Sequence, residues 1–337
     1  MKKVLIAMSG GVDSSVAAAL LKEQGFEVSG VTMRLFDGKE NAAVTDAKLA
    51  ANALSIPHYT VDAADLFEQI VINNFINEYK SGRTPNPCVK CNHRLKFGLL
   101  MDKADELDCG YLATGHYAVI ENGNLRRGVD NHKDQSYFLY PVFASSVDRI
   151  LFPMGRLTKE RVRTIAAGFN LPAVGKKESQ DICFIPSGNY LDFLKSRGME
   201  NSSSGPIVDI NGNKLGTHSG VHNFTIGQRK GLGALGKRMY VKQIIADTHT
   251  VIAADEHQLE SSAIKVQDVL CCKNGLKSGD RFQVQIRYRS KPTLATVTDF
   301  NDGTLSLLFD EPVRAAASGQ SAVLYDGDTV AAGGIIS

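Results

Sequence analysis

KVLIAMSGGVDSSVAAALLKEQG (residues 3–25) decides the fold. Val4, Leu5 and Ile6 form an unbroken apolar run, as expected of a strand covered on both faces. Ala17 to Leu21 continue as a helix. Between them lie two adjacent glycines, three hydroxyls (Ser9, Ser14, Ser15) and one carboxylate, Asp13. Glycines at a strand-to-helix turn let the main chain approach a ligand closely, and helix-start amides suit an anion. A carboxylate is out of place beside phosphates unless a divalent cation bridges them, which points to Mg2+. No Gly-Lys-[Ser/Thr] follows, so the loop is not a Walker A motif. Without further context, a tight turn with cap residues explains the same letters.

Working outward, strand-like runs over 27–35, 58–63 and 110–115 alternate with helical patterns up to about residue 115. Asp13 and Thr45 or Asp46 fit as helix caps, and Gly25 and Gly82 as stops. The alternation predicts an α/β doubly wound parallel sheet, with ligands at the carboxyl ends of its strands. A hairpin with Asn122-Gly123 at its turn follows, then a helix opened by Thr158. Residues 199–206 (MENSSSGP) read as a linker. Beyond it, period-two alternation with close-spaced turns predicts two small all-β units divided near 260–266, the last a β-barrel. The expected domains are 1–200, 201–263 and 264–337.

At 337 residues, with 43% hydrophobic and 22% charged, the composition is that of a globular chain of several domains. A net charge of +2 means that a polyanion must be met by local basic patches. Such patches lie at 222–242 and 281–291, although a charge run is more often a solvated face. The N-terminal apolar run is too short for a secretory leader and no run suits a membrane span. A cytoplasmic, monomeric protein is expected. Six cysteines are too few for a disulfide scaffold and suit a reducing compartment.

GRTPNPCVKCNHRLKFG (82–98) holds Cys88 and Cys91 at CxxC spacing among prolines and cations, with no acid. Nearby cations would favour the nucleophilic thiolate. The alternative is half of a zinc site, for which Cys183 and His93 or His116 are the remaining ligands on offer. Cys183, in ICFI, reads by itself as a buried apolar cysteine. Cys109, Cys271 and Cys272 are given no chemistry.

SGGVDSS resembles the loop of PP-loop ATP pyrophosphatases, which cleave ATP between its α- and β-phosphates. With GRTPNPCVKCN, ATGHYA, KDQSYFLY, ICFI, HNFTIGQRKGLG and GQSAVLY in this order, nearly the whole chain resembles the tRNA-specific 2-thiouridylases of the MnmA type. The resemblance implies an adenine nucleotide alpha hydrolase-like PP-loop domain, a central β-domain and a C-terminal barrel. It implies ATP binding at Ala7, Met8, Ser9, Gly10, Gly11, Val12, Asp13, Ser14, Met33 and Gly115. The target base and tRNA fall to Asn86, Pro87, Cys88, His116, Lys133, Asp134, Gln135, Arg287, Tyr288 and Gln320.

By the same resemblance, Cys183 carries sulfur as a persulfide and Cys91 resolves it into a disulfide. The wobble uridine, flipped from its stack, exchanges its C2 oxygen for sulfur after adenylation. A relay protein or cysteine desulfurase supplies the sulfur. Many members of the family have Asp where Cys88 stands; Cys88, Cys91 and Cys183 would make an all-cysteine iron–sulfur ligand set. Two other readings remain open. Another PP-loop ligase or amidotransferase leaves the thiols without a role. A non-catalytic paralogue has no need of an intact loop.

Overall fold

The computed structural model describes residues 1–36, 42–144, 147–172, 182–185, 188–199, 204–233, 236–271 and 275–337. The stretch after MRLFD, the lysines preceding Cys183, most of the 199–206 linker and Cys272 lie outside the described residues. The chain divides into two compact units: 1–71, 88–179 and 326–330 form one, and 72–87, 180–325 and 331–337 the other.

In the first unit, β1 (Lys3–Ala7), α1 (Val12–Glu23), β2 (Glu27–Arg34), α2 (Ala42–Ala53) and β3 (His58–Asp62) alternate. A helical stretch follows, α3 (Ala64–Phe67) passing through a π turn into α4 (Asn73–Lys80), which belongs to the second unit. Next come α5 (Pro87–Cys91), a π-helix over Asn92–Leu99, α6 (Leu100–Glu106), β4 (Tyr111–Thr114), the hairpin β5 (Ala118–Glu121) and β6 (Asn124–Arg127), β7 (Ile150–Leu151) and α7 (Lys159–Gly168).

The sheet runs β3-β2-β1-β4-β7, with every pairing parallel. The expected doubly wound sheet is therefore present. Val4, Leu5 and Ile6 are fully buried between layers of helix, and Val16, Leu21, Ala50 and Val162 pack against the sheet. Strand order reverses between β1 and β4, which opens a crevice at their carboxyl ends. The loop after β1 and the Gly115-His116 turn after β4 both border it.

Several boundaries differ from the sequence expectation. Gly11, not Asp13, caps α1, and Asp13 turns aside in its first turn. Helix α2 begins at Ala42, so Thr45 and Asp46 lie inside it. Gly25 and Gly82 adopt the left-handed backbone expected of helix stops, and Asn122-Gly123 does so as a hairpin turn. Thr158 caps α7, accepting from the amide of Arg161.

The second unit adds α8 (Tyr190–Ser196) and a four-stranded sheet of β8 (Gly205–Val208), β9 (Lys214–His218), β10 (Tyr240–Ile245) and β11 (Thr250–Ala254), ordered β10-β11-β8-β9. The barrel follows: β12 (Glu260–Cys271), β13 (Arg281–Gln285), β14 (Thr293–Asn301), β15 (Thr304–Arg314), β16 (Ser321–Asp326) and β17 (Thr329–Ile336). Its order β12-β15-β14-β13-β16-β17 closes through antiparallel β17–β12 pairing, which removes the free edges. Val266, Val297, Leu305 and Leu324 fill its interior. Among the described residues no helix is long and apolar enough to cross a membrane.

Candidate active site

Gly10 takes φ +73°, and a Cβ there would lie 2.5 Å from Cβ of Asp46, so only glycine fits. Gly11 offers no side chain to cap α1, which leaves the first-turn amides open. The hydroxyls brace the loop from within. Ser14 Oγ accepts from Ser9 N (3.1 Å) and donates to Gly11 O (3.2 Å), and Ser15 Oγ donates to the same carbonyl (2.9 Å). Gly115 closes the other side: a Cβ on it would stand 2.9 Å from Ser14 N. The crevice therefore presents a helix N-terminus with main chain close at hand, an arrangement suited to phosphate. Met8 is buried and its amide donates to Val31 O. Met33, half-buried, lies near the carboxyl end of β2.

Asp13 Oδ1 accepts from Lys159 Nζ (2.7 Å) and from the Tyr117 hydroxyl (2.8 Å). The Lys159 side chain is 9% exposed and that of Asp13 32%. Asp130 fixes the start of α7 by accepting from Lys159 N (3.0 Å). The sequence reading missed this lysine. Its signal is weak, because Lys159 lies 146 residues from Asp13 in a first helical turn, where a lysine usually faces solvent.

Cys88 and Cys91 lie three residues apart along α5, on one face. Cys88 is exposed and Cys91 buried. Beyond Cys91 the helix widens into the eight-residue π-helix. Lys96, in this π-helix, is close enough to act electrostatically on Cys91. Burial pushes the Cys91 thiol up, and the opposing pull of the Lys96 ammonium does not overcome it. At rest this cysteine is a protonated thiol with its activating cation already beside it.

Lys96 Nζ donates to Nε2 of His116 (3.2 Å), whose Nδ1 meets Thr114 Oγ1 at 2.6 Å. His116 is buried, with edge-on contact to Phe152. Burial first, and Lys96 second, hold its pKa well below the usual imidazole range. The ring is neutral and accepts from Lys96, so Nδ1 carries the proton and donates to Thr114.

Residues expected to meet tRNA are placed as follows in the first unit. Asp134 is buried and accepts from Gly128 N (2.9 Å), Ser136 N (3.1 Å), Ser136 Oγ (2.9 Å) and Arg127 (3.2 Å). Gln135 exchanges hydrogen bonds with the main chain of Tyr117. Lys133 beside them is half-buried.

In the second unit, Asn86 is half-buried and Pro87 buried. Arg287 donates to the carbonyls of Ile226 and Ala315 (both 2.8 Å), and Tyr288 is half-buried. Gln320 donates to the carbonyls of Thr84 and Pro85. Cys183 is exposed, against the expectation of a buried apolar cysteine. It sits in a turn closed by Ile185 N to Ile182 O (2.8 Å), anchored by buried Phe184 against Phe75 and Phe193.

Among the described residues, no group of three His, Cys, Asp or Glu is gathered to hold a metal. For a divalent ion the loop supplies one carboxylate, Asp13, already engaged by Lys159; such an ion fits there only as part of the nucleotide it accompanies.

A family profile described as the tRNA methyl transferase HUP domain matches residues 2–187. The tRNA methyl transferase PRC-barrel domain matches 191–255, and the aminomethyltransferase beta-barrel domain 261–336. The chain is 43% identical over 354 residues to a protein of Halothermothrix orenii, covering 100% of this chain and 99% of that one. It is 45% identical to one of Carboxydothermus hydrogenoformans (99% and 97% covered) and 46% to one of Moorella thermoacetica (98% and 98%). Each of the three bears the name tRNA-specific 2-thiouridylase MnmA.

Proposed function

The chain belongs to the family of tRNA-specific 2-thiouridylases, a family of tRNA sulfurtransferases, and from that premise we propose that it thiolates C2 of the tRNA wobble uridine in two stages, the first of which consumes ATP. The observation that carries this reading is the pairing, within one compact unit, of an uncapped helix N-terminus for phosphate with two thiols a single helical turn apart. The methyl-transfer wording of the family profiles gives no role to either feature. Sulfur transfer uses both.

In the first stage, the uridine C2 oxygen attacks the α-phosphorus and pyrophosphate leaves. The amides at the start of α1 hold the phosphates, the Ser9–Ser14 hydroxyls brace the loop, and Gly115 keeps the opposite wall close. Lys159 offsets the Asp13 carboxylate, which would otherwise repel the polyphosphate. Mg2+ arrives with the nucleotide, and no step is assigned to it.

In the second stage, the terminal sulfur of a Cys183 persulfide attacks C2 and AMP leaves with the former C2 oxygen. Cys91 thiolate then attacks Cys183 Sγ; the S–S bond breaks, 2-thiouridine is released and a Cys91–Cys183 disulfide remains. A dithiol reductant resets it. Lys96 stabilises the thiolate form of Cys91. The exposure of Cys183 supports its loading by a sulfur relay protein or a cysteine desulfurase. Asn86, Pro87 and Cys88 border the base, while Arg287 and Tyr288 face the tRNA. The three sequence domains 1–200, 201–263 and 264–337 divide these tasks as catalytic, central and RNA-holding parts of a cytosolic monomer.

The test is to incubate the protein with ATP, Mg2+, a cysteine desulfurase with cysteine, and unmodified tRNA, then to measure 2-thiouridine by nucleoside mass spectrometry. ATP-dependent product is expected. Absence of product, or product without ATP, refutes the proposal and favours a different PP-loop ligase.

A further inference from the structure

The loop that leads into the thiol helix is held on three sides within the second unit. Gly82 adopts φ +69°, and a Cβ there would lie 2.6 Å from Cγ2 of Ile244. Arg83 makes a bidentate pair with Glu78, at 2.8 and 2.7 Å. The third side is the barrel turn between β15 and β16. Thr84 N donates to Ser318 O (2.8 Å), and Gln320 Nε2 donates to both Thr84 O and Pro85 O, each at 3.1 Å. Gly319 makes the approach feasible: at φ +90°, a Cβ on it would stand 2.8 Å from Thr84 O.

Gln320 is itself fixed by its main chain, its N donating to Ala317 O (3.1 Å) and its O accepting from Ile336 N (2.8 Å). Both hydrogens of its side-chain amide have main-chain acceptors. Among the described residues, Oε1 has no partner, and the residue is only half-buried. What remains to offer a ligand is an acceptor alone, suited to a ribose hydroxyl or a base N–H. Cys88 stands three residues after Pro85. Pro85 and Pro87 stiffen the intervening chain, so a shift of the Pro85 carbonyl is carried forward to Cys88 rather than absorbed.

We propose that Gln320 is a positioning residue: it clamps the Thr84–Pro85 carbonyls to the barrel turn and so sets the position of the thiol-bearing segment. This deepens the thiolation reading and rests on it. Loss of the clamp lowers the rate of sulfur transfer from bound tRNA more than it lowers tRNA affinity. A residue that only touches RNA does the reverse.

The variants are Gln320→Met, which keeps the length and removes the donors, and Gln320→Glu, which is isosteric and sets a carboxylate against two carbonyls. Single-turnover 2-thiouridine formation at saturating tRNA gives the rate, filter binding gives the tRNA Kd, and hydrogen exchange reads the amides of 83–91 in the free protein. The rate is expected to fall about tenfold or more in both variants with Kd within about threefold, as for a loop displaced from its reacting geometry. Exchange at Thr84 is expected to rise about tenfold, since its bond to Ser318 belongs to the same clamp. A weakened Kd with unchanged saturating rate and unchanged exchange overturns the proposal, as does the absence of any change. If the wild type forms no 2-thiouridine, the thiolation reading fails, while the exchange measurement still decides the clamp. If one variant fails to fold, the other supplies the same three readouts.

Discussion

Lys159→Met should weaken ATP binding, and adding Asp13→Asn should restore most of the loss. The buried ammonium lies 2.7 Å from Asp13 Oδ1 and offsets the one carboxylate in the first turn of α1. Without it, an unpaired negative charge faces the site that must receive a polyphosphate. At about 5 Å and an effective dielectric near 20, carboxylate–phosphate repulsion is about 3 kcal/mol. Asp13 is about one-third exposed, so solvent and salt screen roughly half of that. The remaining ~1.5 kcal/mol corresponds to about a tenfold rise in Kd.

Calorimetric titration of ATP in the presence of EDTA isolates this term from any effect of Mg2+. The single variant should bind about tenfold more weakly than wild type, and the double variant should recover most of that factor. The stability of the free protein supplies an internal control. Removing Lys159 leaves Asp13 with Tyr117 as its remaining hydrogen-bond donor and should cost about 1–2 kcal/mol. Equal ATP affinity in the single and double variants would refute the reasoning, because the affinity would then not depend on an uncompensated carboxylate.

Cys91→Ser and Cys183→Ser should each abolish 2-thiouridine in the nucleoside assay while leaving the tRNA Kd within about threefold, since a single-atom exchange alters no phosphate contact. Gly115→Ala places a methyl 2.9 Å from Ser14 N and should cost about 1–3 kcal/mol of stability, with loss of ATP affinity, read by denaturant melts and titration. The pH dependence of stability has a definite sign at His116. Its folded pKa lies below the unfolded 6.5, so the unfolded chain binds more protons below that value. Stability from this group is complete above about pH 6.5 and declines as the pH falls toward the depressed folded value. His116→Asn should flatten that decline in urea melts between pH 7 and 5; an unchanged slope would mean that the ring is already charged in the fold.

The sheet was legible because its strands are buried on both faces. Val4-Leu5-Ile6 and their neighbours carry an unbroken apolar signal that only a parallel sheet between helix layers rewards. The phosphate loop was legible because Gly10 and Gly115 sit where side chains cannot. The electrostatics were not. Lys159 and Lys96 each gain their meaning from a partner distant in sequence, 146 and 20 residues away. The π-helix left no mark either: nothing in NHRLKFGL distinguishes a π-helix from an ordinary helical turn. Cys183 misled for the opposite reason. Its apolar neighbours Phe184 and Ile185 are buried, and the turn they anchor projects the thiol outward.

Two lysines thus stand at two ends of the chemistry, each pinned by a different partner. Lys159 is held by Asp13 and lies at the phosphate loop, while Lys96 is held by neutral His116 and acts on the Cys91 thiol. In the proposed mechanism, adenylation makes charge on departing pyrophosphate and sulfur transfer makes charge on sulfur, so a single shared cation would have to leave one task for the other. Separate cations let each stage be tuned independently, and that independence can be measured. Lys96→Met should slow iodoacetamide alkylation of Cys91 about tenfold at pH 7.5, because the thiol loses the cation opposing its desolvation, and should leave ATP affinity unchanged. Lys159→Met should do the converse. If either substitution alters both readouts equally, the two ends are one electrostatic unit and the division of labour fails.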